Sequence, residues 1–150
     1  SAVFRGAIRL VLDRLARVEV VGVAEDGEQA LTLVADTRPD LVLMDVLMPR
    51  RSGLQAAHAI RAEFPGVRII MISILDSKEW KAASAREGAD RFISKQCLWE
   101  ELPRALAELF PGRAGGPQGS HHDSRPAGNR HIGTGYAHDR CDCHSESVEG

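Results

Sequence analysis

Leu41 to Gly53 reads LVLMDVLMPRRSG, and this stretch decides the fold. Leu41 to Met44 are apolar without a break. Such a run suits a strand covered on both faces, as in a parallel sheet flanked by helices. Asp45 closes the run, where a parallel strand delivers its last side chain to the sheet's carboxyl edge. In open α/β sheets ligands bind at that edge. Pro49 then bars continuation as a central strand, and Gly53 gives the loop freedom before the next periodic segment. Standing alone, Asp45 would read equally well as a turn former at a strand end.

Two further strand ends tip the balance. Arg68 to Ser73 (RIIMIS) ends in a hydroxyl, and Arg91 to Lys95 (RFISK) ends in an ammonium. A carboxylate, a hydroxyl and a lysine closing three strands of one parallel sheet converge on one small site. The trio suits a phosphorylated carboxylate. Asp45 is the nucleophile, Ser73 donates to a phosphoryl oxygen, and Lys95 offsets charge.

Working outward, Phe4, Ile8, Val11, Leu12 and Leu15 fall on one helical face, so the chain opens in or just before a helix. Glu19 to Val23 reads as a short strand. Asp26-Gly27 is a turn, and Asp26 can cap the next helix, which carries Ala30, Leu31, Val34 and Ala35 and stops before Pro39. Leu54, Ala57, Ile60 and Phe64 mark a helix that ends at Pro65-Gly66. Asp76 or Ser77 caps a helix running to about Glu87, and Gly88 takes the left-handed conformation after it. Leu98, Leu102, Leu106 and Leu109 stripe the last helix, where Pro103 predicts a late start or a bend. Strands alternating with helices of about ten residues predict βαβ units and a parallel sheet.

Length fits one domain with room for a further segment. A hydrophobic content of 43% supports a core, and a net charge of −2 gives no sign of a nucleic-acid binder. No apolar run approaches a bilayer span, and charges interrupt the start too often for a signal peptide. Three cysteines make no disulfide framework, so a reducing cytoplasm is the expected location and Cys97 reads as a small core residue. After Gly112 the character changes. Arg113 to Gly150 holds seven of the fourteen glycines and five of the six histidines, with Ile132 and Val148 its only large aliphatics. It shows no periodicity, so residues 112–150 are expected to be a disordered low-complexity tail behind a unit at 1–111. A shifted reading frame of a GC-rich gene would look similar. His138, Cys141, Cys143 and His144 are tight-spaced for structural zinc and read as adventitious tail chemistry. His58 reads as a boundary residue of its helix, and Trp80 and Trp99 as partly buried packing or interface residues.

Phe4 to about Leu109 resembles the receiver domain of bacterial two-component response regulators. The resemblance rests on Asp45 with Met48, Pro49 and Gly53, then Ser73, then Gly88-Ala89 with Phe92 and Lys95. The turn VVGVAEDGEQAL resembles the LuxR (NarL/FixJ) branch. The resemblance implies a flavodoxin-like (CheY-like) α/β three-layer sandwich with a parallel sheet in order 2-1-3-4-5. It implies Mg²⁺-dependent phosphoryl transfer from a sensor histidine kinase to Asp45, with the backbone carbonyl of Leu47 as a further metal ligand. Such a domain is a phosphoacceptor and not an enzyme, apart from self-catalysed phosphotransfer and autodephosphorylation. Ser73 and Phe92 are the implied switch residues. The reshaped face is the family's fourth helix, fifth strand and fifth helix, a candidate homodimer surface.

The chain also departs from the pattern. The family's first strand and its acidic pair are absent, and Glu25 and Asp26 fall after the second strand instead. Ile74 stands where a small residue is usual, and Gln96 replaces a common proline. No helix-turn-helix follows Leu109, so no DNA binding by this chain is expected, nor any membrane association. The chain therefore reads as a receiver fragment, marginally folded, with a gap at the centre of its sheet and an incomplete metal site. The alternative is a phosphorylation-incompetent pseudo-receiver that only binds partners. A haloacid-dehalogenase-like phosphatase needs a second carboxylate two residues after its nucleophile, and that position is Leu47.

Overall fold

The structure, a computed structural model, describes residues 2–15, 17–112 and 129–133. In chain order these form α1 (Ala2–Arg14), β1 (Val18–Gly22), α2 (Gly27–Thr37), β2 (Leu41–Asp45), α3 (Gly53–Glu63), β3 (Arg68–Ser73), α4 (Lys78–Arg86), β4 (Arg91–Ser94), α5 (Leu98–Leu109) and β5 (Asn129–Gly133). A single 3₁₀ turn, Lys95–Cys97, joins β4 to α5.

Local chemistry explains most boundaries. Asp26 caps α2, its carboxylate accepting from the amides of Glu28 and Gln29. Ser52 and Gln55 form a capping box at the start of α3. Ser77, not Asp76, caps α4. Gly88 has φ +94, the left-handed conformation expected of it. Pro103 lies inside α5, which begins at Leu98 directly after the 3₁₀ turn. The expected late start is therefore not seen; a proline this near the helix start removes only one ladder donor.

The sheet is parallel, in the order β1-β5-β2-β3-β4. One core packs α2 and α3 on one face, through Ala30, Val34, Ala56, Ala57 and Ile60 against Val42, Met44, Ile69 and Met71. The other packs α1 and α5 on the opposite face, through Phe4, Ile8, Leu12, Leu98 and Leu102 against Leu41, Leu43, Ile70, Ile72 and Ile93. The expected three-layer sandwich is present. All five residues of β2 are buried, as its unbroken apolar run requires.

Two expectations need correction. The central place of the sheet is not a gap. β5, from the segment expected to lack order, lies there and pairs with β1 on one side and β2 on the other. The reason is in the backbone: two parallel strands facing a gap carry rows of main-chain donors and acceptors, and any extended segment can satisfy them. Residues 113–128 and 134–150, including His138, Cys141, Cys143 and His144, lie outside the described residues. Second, Cys97 is disulfide-bonded. It is half-buried at the position that precedes α5, not sealed in the core. Among the described residues no helix is long and apolar enough to cross a membrane.

Candidate functional site

Three strand ends meet at the carboxyl edge of the sheet. Asp45 ends β2, Ser73 ends β3, and Lys95 follows the last residue of β4. The ladders hold them in register, with Asp45 opposite Ile72 and Ser73 opposite Ser94. All three side chains are buried, Asp45 at 5%, Lys95 at 5% and Ser73 at 0% exposure.

Asp45 and Lys95 form a direct ion pair, with Lys95 Nζ donating to Asp45 Oδ2 at 2.6 Å. The other carboxylate oxygen accepts from the Leu47 amide at 3.0 Å. A charge this deep is stable only when paired and hydrogen-bonded, and both conditions hold here. Ser73 Oγ accepts from the Leu75 amide at 3.0 Å, which ties the start of the following loop to the strand end. Phe92 is half-buried on β4 and packs against the α2–α3 core.

The loop after Asp45 is held from two sides. The Val46 amide donates to the Ile72 carbonyl, and the Gly53 amide donates to the Val46 carbonyl. A Cβ on Gly53 would lie 1.8 Å from the Asp45 carbonyl oxygen. Glycine is therefore required for close approach of α3 to the β2 end, not for the loop freedom expected from sequence. Arg50, at φ +63, forms an ion pair with buried Asp26 and so links this loop to the start of α2. The Gln29 amide, more than any other group, holds the Asp26 carboxyl below the usual carboxylate range; burial opposes it, and Arg50 and the Glu28 amide assist.

Sequence reasoning missed two of these partners. Phe4 was legible as a core residue of α1, yet its ring lies under the Lys95 ammonium, 4.7 Å from Nζ to the centroid. Arg50 was legible only as part of a polar loop. Neither contact has a local signal, since each joins residues far apart in the chain. His58 is exposed and pairs with Glu87 at 2.9 Å. Trp80 is half-buried against the α2–α3 core, whereas Trp99 is 47% exposed. Ile74, Leu47 and Leu75 are exposed aliphatics following the strand ends.

Receiver domains in general bind Mg²⁺ at the phosphorylation site. The described residues of this chain fit that ion poorly. Among them no three His, Cys, Asp or Glu side chains stand together as a metal cluster. Asp26 is committed to capping α2 and to Arg50. Asp45 and the Leu47 carbonyl alone fall short of the near-octahedral oxygen shell that Mg²⁺ requires.

The response regulator receiver domain family matches residues 1–107. The transcriptional regulatory protein YxjL of Bacillus subtilis is 36% identical over 110 residues, which cover 73% of this chain and 50% of that protein. The oxygen regulatory protein NreC of Staphylococcus aureus is 34% identical over 112 residues, 74% of this chain and 52% of that protein. The chain thus spans about half the length of these curated relatives. Among solved structures, the receiver domain of the putative response regulator NarL from Mycobacterium tuberculosis matches with a TM-score of 0.67 at 33% identity. That match covers 73% of this chain and 89% of that one. A LuxR-family response regulator from Aurantimonas sp. SI85-9A1 matches with a TM-score of 0.66 at 28% identity, covering 73% and 77%.

Proposed function

This chain belongs to the response regulator receiver-domain family, of LuxR/NarL type, and we propose that Asp45 is its phosphoacceptor. The observation that carries the reading is the buried Asp45–Lys95 pair at the carboxyl edge, with Ser73 at the neighbouring strand end. In the proposed step an Asp45 carboxylate oxygen attacks phosphorus. The new O–P bond forms as the bond to the donor breaks, and the donor leaves with its electron pair. With a sensor histidine kinase as donor, the broken bond is the P–N bond of its phosphohistidine. Lys95 is already placed beside the carboxylate and offsets the charge of the acyl phosphate. Ser73 uses its oxygen to accept from Leu75, so its hydroxyl hydrogen can turn toward a phosphoryl oxygen.

The same reading makes Ser73 and Phe92 the switch pair. Phe92 lines a shallow cavity between β4 and α5 with Arg91, Glu101 and Arg104, on the face proposed for homodimerisation. The receiver unit is taken as residues 1–111, with a role in regulating transcription in the cytoplasm. Self-catalysed phosphotransfer and autodephosphorylation belong to the proposal too.

Labelling with a small phosphodonor and Mg²⁺ tests the reading. It compares this chain with one extended upstream by an apolar strand ending in two acidic residues. Acyl phosphate is expected to map to Asp45, far more in the extended form, and to vanish in Asp45→Asn. Undiminished labelling of the Asn variant would refute the assignment. No labelling of either form would leave a pseudo-receiver that only binds partners.

A further inference from the structure

The central place of the sheet is apolar on both sides and filled by a polar segment. β1 contributes Val18, Val20 and Val21 to the two cores, and β2 contributes Leu41, Val42, Leu43 and Met44. A strand between them, covered on both faces, calls for a near-continuous run of Val, Ile or Leu. The segment in that place reads Asn129-Arg130-His131-Ile132-Gly133, with one large aliphatic. Its register is also irregular. It follows β1 through Val20, then passes over Val21 so that Ile132 lies opposite Gly22. Its pairing with β2 stops at Leu43, whereas β3 pairs with β2 as far as Asp45. The backbone demand of the slot is partly met, and the composition of 129–133 departs from the apolar run that such a slot calls for.

We propose that this slot is a strand-acceptor site, which takes a β-branched apolar peptide supplied in trans in place of residues 129–133. Main-chain hydrogen bonds to β1 and β2 supply affinity without regard to sequence. The two cores supply selectivity, because successive residues of the guest face alternate sides of the sheet and meet apolar surface on each. The chain's own strand competes, so the apparent Kd exceeds the intrinsic one by the reciprocal of the fraction of chains with the slot open.

The experiment uses the full 150-residue chain, with reductant present so that the bond at Cys97 does not restrain the chain. The probe is a fluorescent peptide of two lysines, five alternating Val and Ile, and a terminal amide; its control has proline at the second and fourth aliphatic positions. Hydrogen exchange read by mass spectrometry reports on 129–133 and on β2. The expected result is saturable binding of the apolar peptide only, with faster exchange at 129–133 and undiminished protection of Leu41–Asp45. Ile132→Pro, which removes one ladder donor from the resident strand, should tighten binding roughly tenfold, equivalent to about 1.4 kcal/mol. Three results would overturn the proposal: no binding to the unmodified chain, binding that leaves 129–133 protected, or equal binding of the proline peptide. The unmodified chain decides the matter even where Ile132→Pro fails to fold.

Discussion

Gly53→Ala tests how tightly the start of α3 is seated on the end of β2. An added Cβ would lie 1.8 Å from the Asp45 carbonyl oxygen and 2.8 Å from its carbon. Real Cβ atoms essentially never come within 3.0 Å of such an atom, so one of the two elements must retreat by at least 1.2 Å. The obstacle is main chain and cannot rotate away. Neither element is loose, since the Gly53 amide bonds the Val46 carbonyl and β2 is fully buried. Overpacking typically costs about 1–3 kcal/mol, and a backbone obstacle places this case near about 3 kcal/mol. For a unit of this size that lowers Tm by about 10 °C. The displaced atom belongs to Asp45 itself, so the 2.6 Å contact with Lys95 should lengthen as well. Thermal and urea unfolding should be run beside Gly66→Ala and Gly6→Ala, whose added Cβ atoms meet nothing within 4 Å. Gly6 lies within α1, and there alanine should stabilise by about 0.5–1 kcal/mol. A Gly53→Ala protein within about 0.5 kcal/mol of the parent would refute the close-approach argument, since surface changes of no consequence fall in that range.

Other perturbations read different parts of the structure. Lys95→Met should destabilise by about 3–5 kcal/mol in urea unfolding, because it leaves the Asp45 carboxylate buried without a cation; adding Asp45→Asn should recover most of the loss, and a purely additive double variant would count against the pair. Ser84→Ala should stabilise by about 1 kcal/mol in the same assay, since the Ser84 hydroxyl is buried in α4 with no hydrogen-bond partner and alanine is the better helix former. Asp26 has its carboxyl held below the ordinary range in the fold, so its contribution is complete above the unfolded-state carboxylate pKa and is lost as pH falls through the lower folded value. The acid limb of the stability–pH curve should therefore be shallower in Asp26→Asn, and an unchanged limb would show that the cap does not titrate with folding.

Most of the candidate site was legible because its signals are local. An apolar run that stops at Asp45, another at Ser73 and a third just before Lys95 each announce a strand end, and parallel strands deliver their ends to one edge. Strand β3 has the same limits in sequence and structure, Arg68–Ser73, whereas helix α5 spans its whole leucine stripe, Leu98–Leu109, without the late start that Pro103 suggested. Strand β1 falls one residue earlier than expected, at Val18–Gly22, because valines spread from Val18 to Val23 mark neither end. The partners of the site were not legible. That Phe4 sits under Lys95, and that Arg50 reaches Asp26, depends on how α1 and the β2–α3 loop pack, and no residue spacing encodes it.

Strand β5 was hidden for a different reason. Local polarity says that Asn129 to Gly133 has little to gain by burial, and by that measure a disordered reading is sound. The demand for a strand comes from elsewhere, from β1 and β2, whose facing edges lack a ladder partner until something extended lies between them. A hydrogen bond is worth about 1 kcal/mol net, but an unsatisfied buried donor or acceptor costs about 1–3 kcal/mol. The host strands therefore gain more from the segment than the segment's own side chains indicate. Sequence reading weighs a segment by what it contributes. The centre of a sheet weighs it by what its neighbours lack, and only the assembled fold contains that quantity. The same asymmetry makes 129–133 replaceable, since any extended chain meets the backbone demand and an apolar one meets the side-chain preference too.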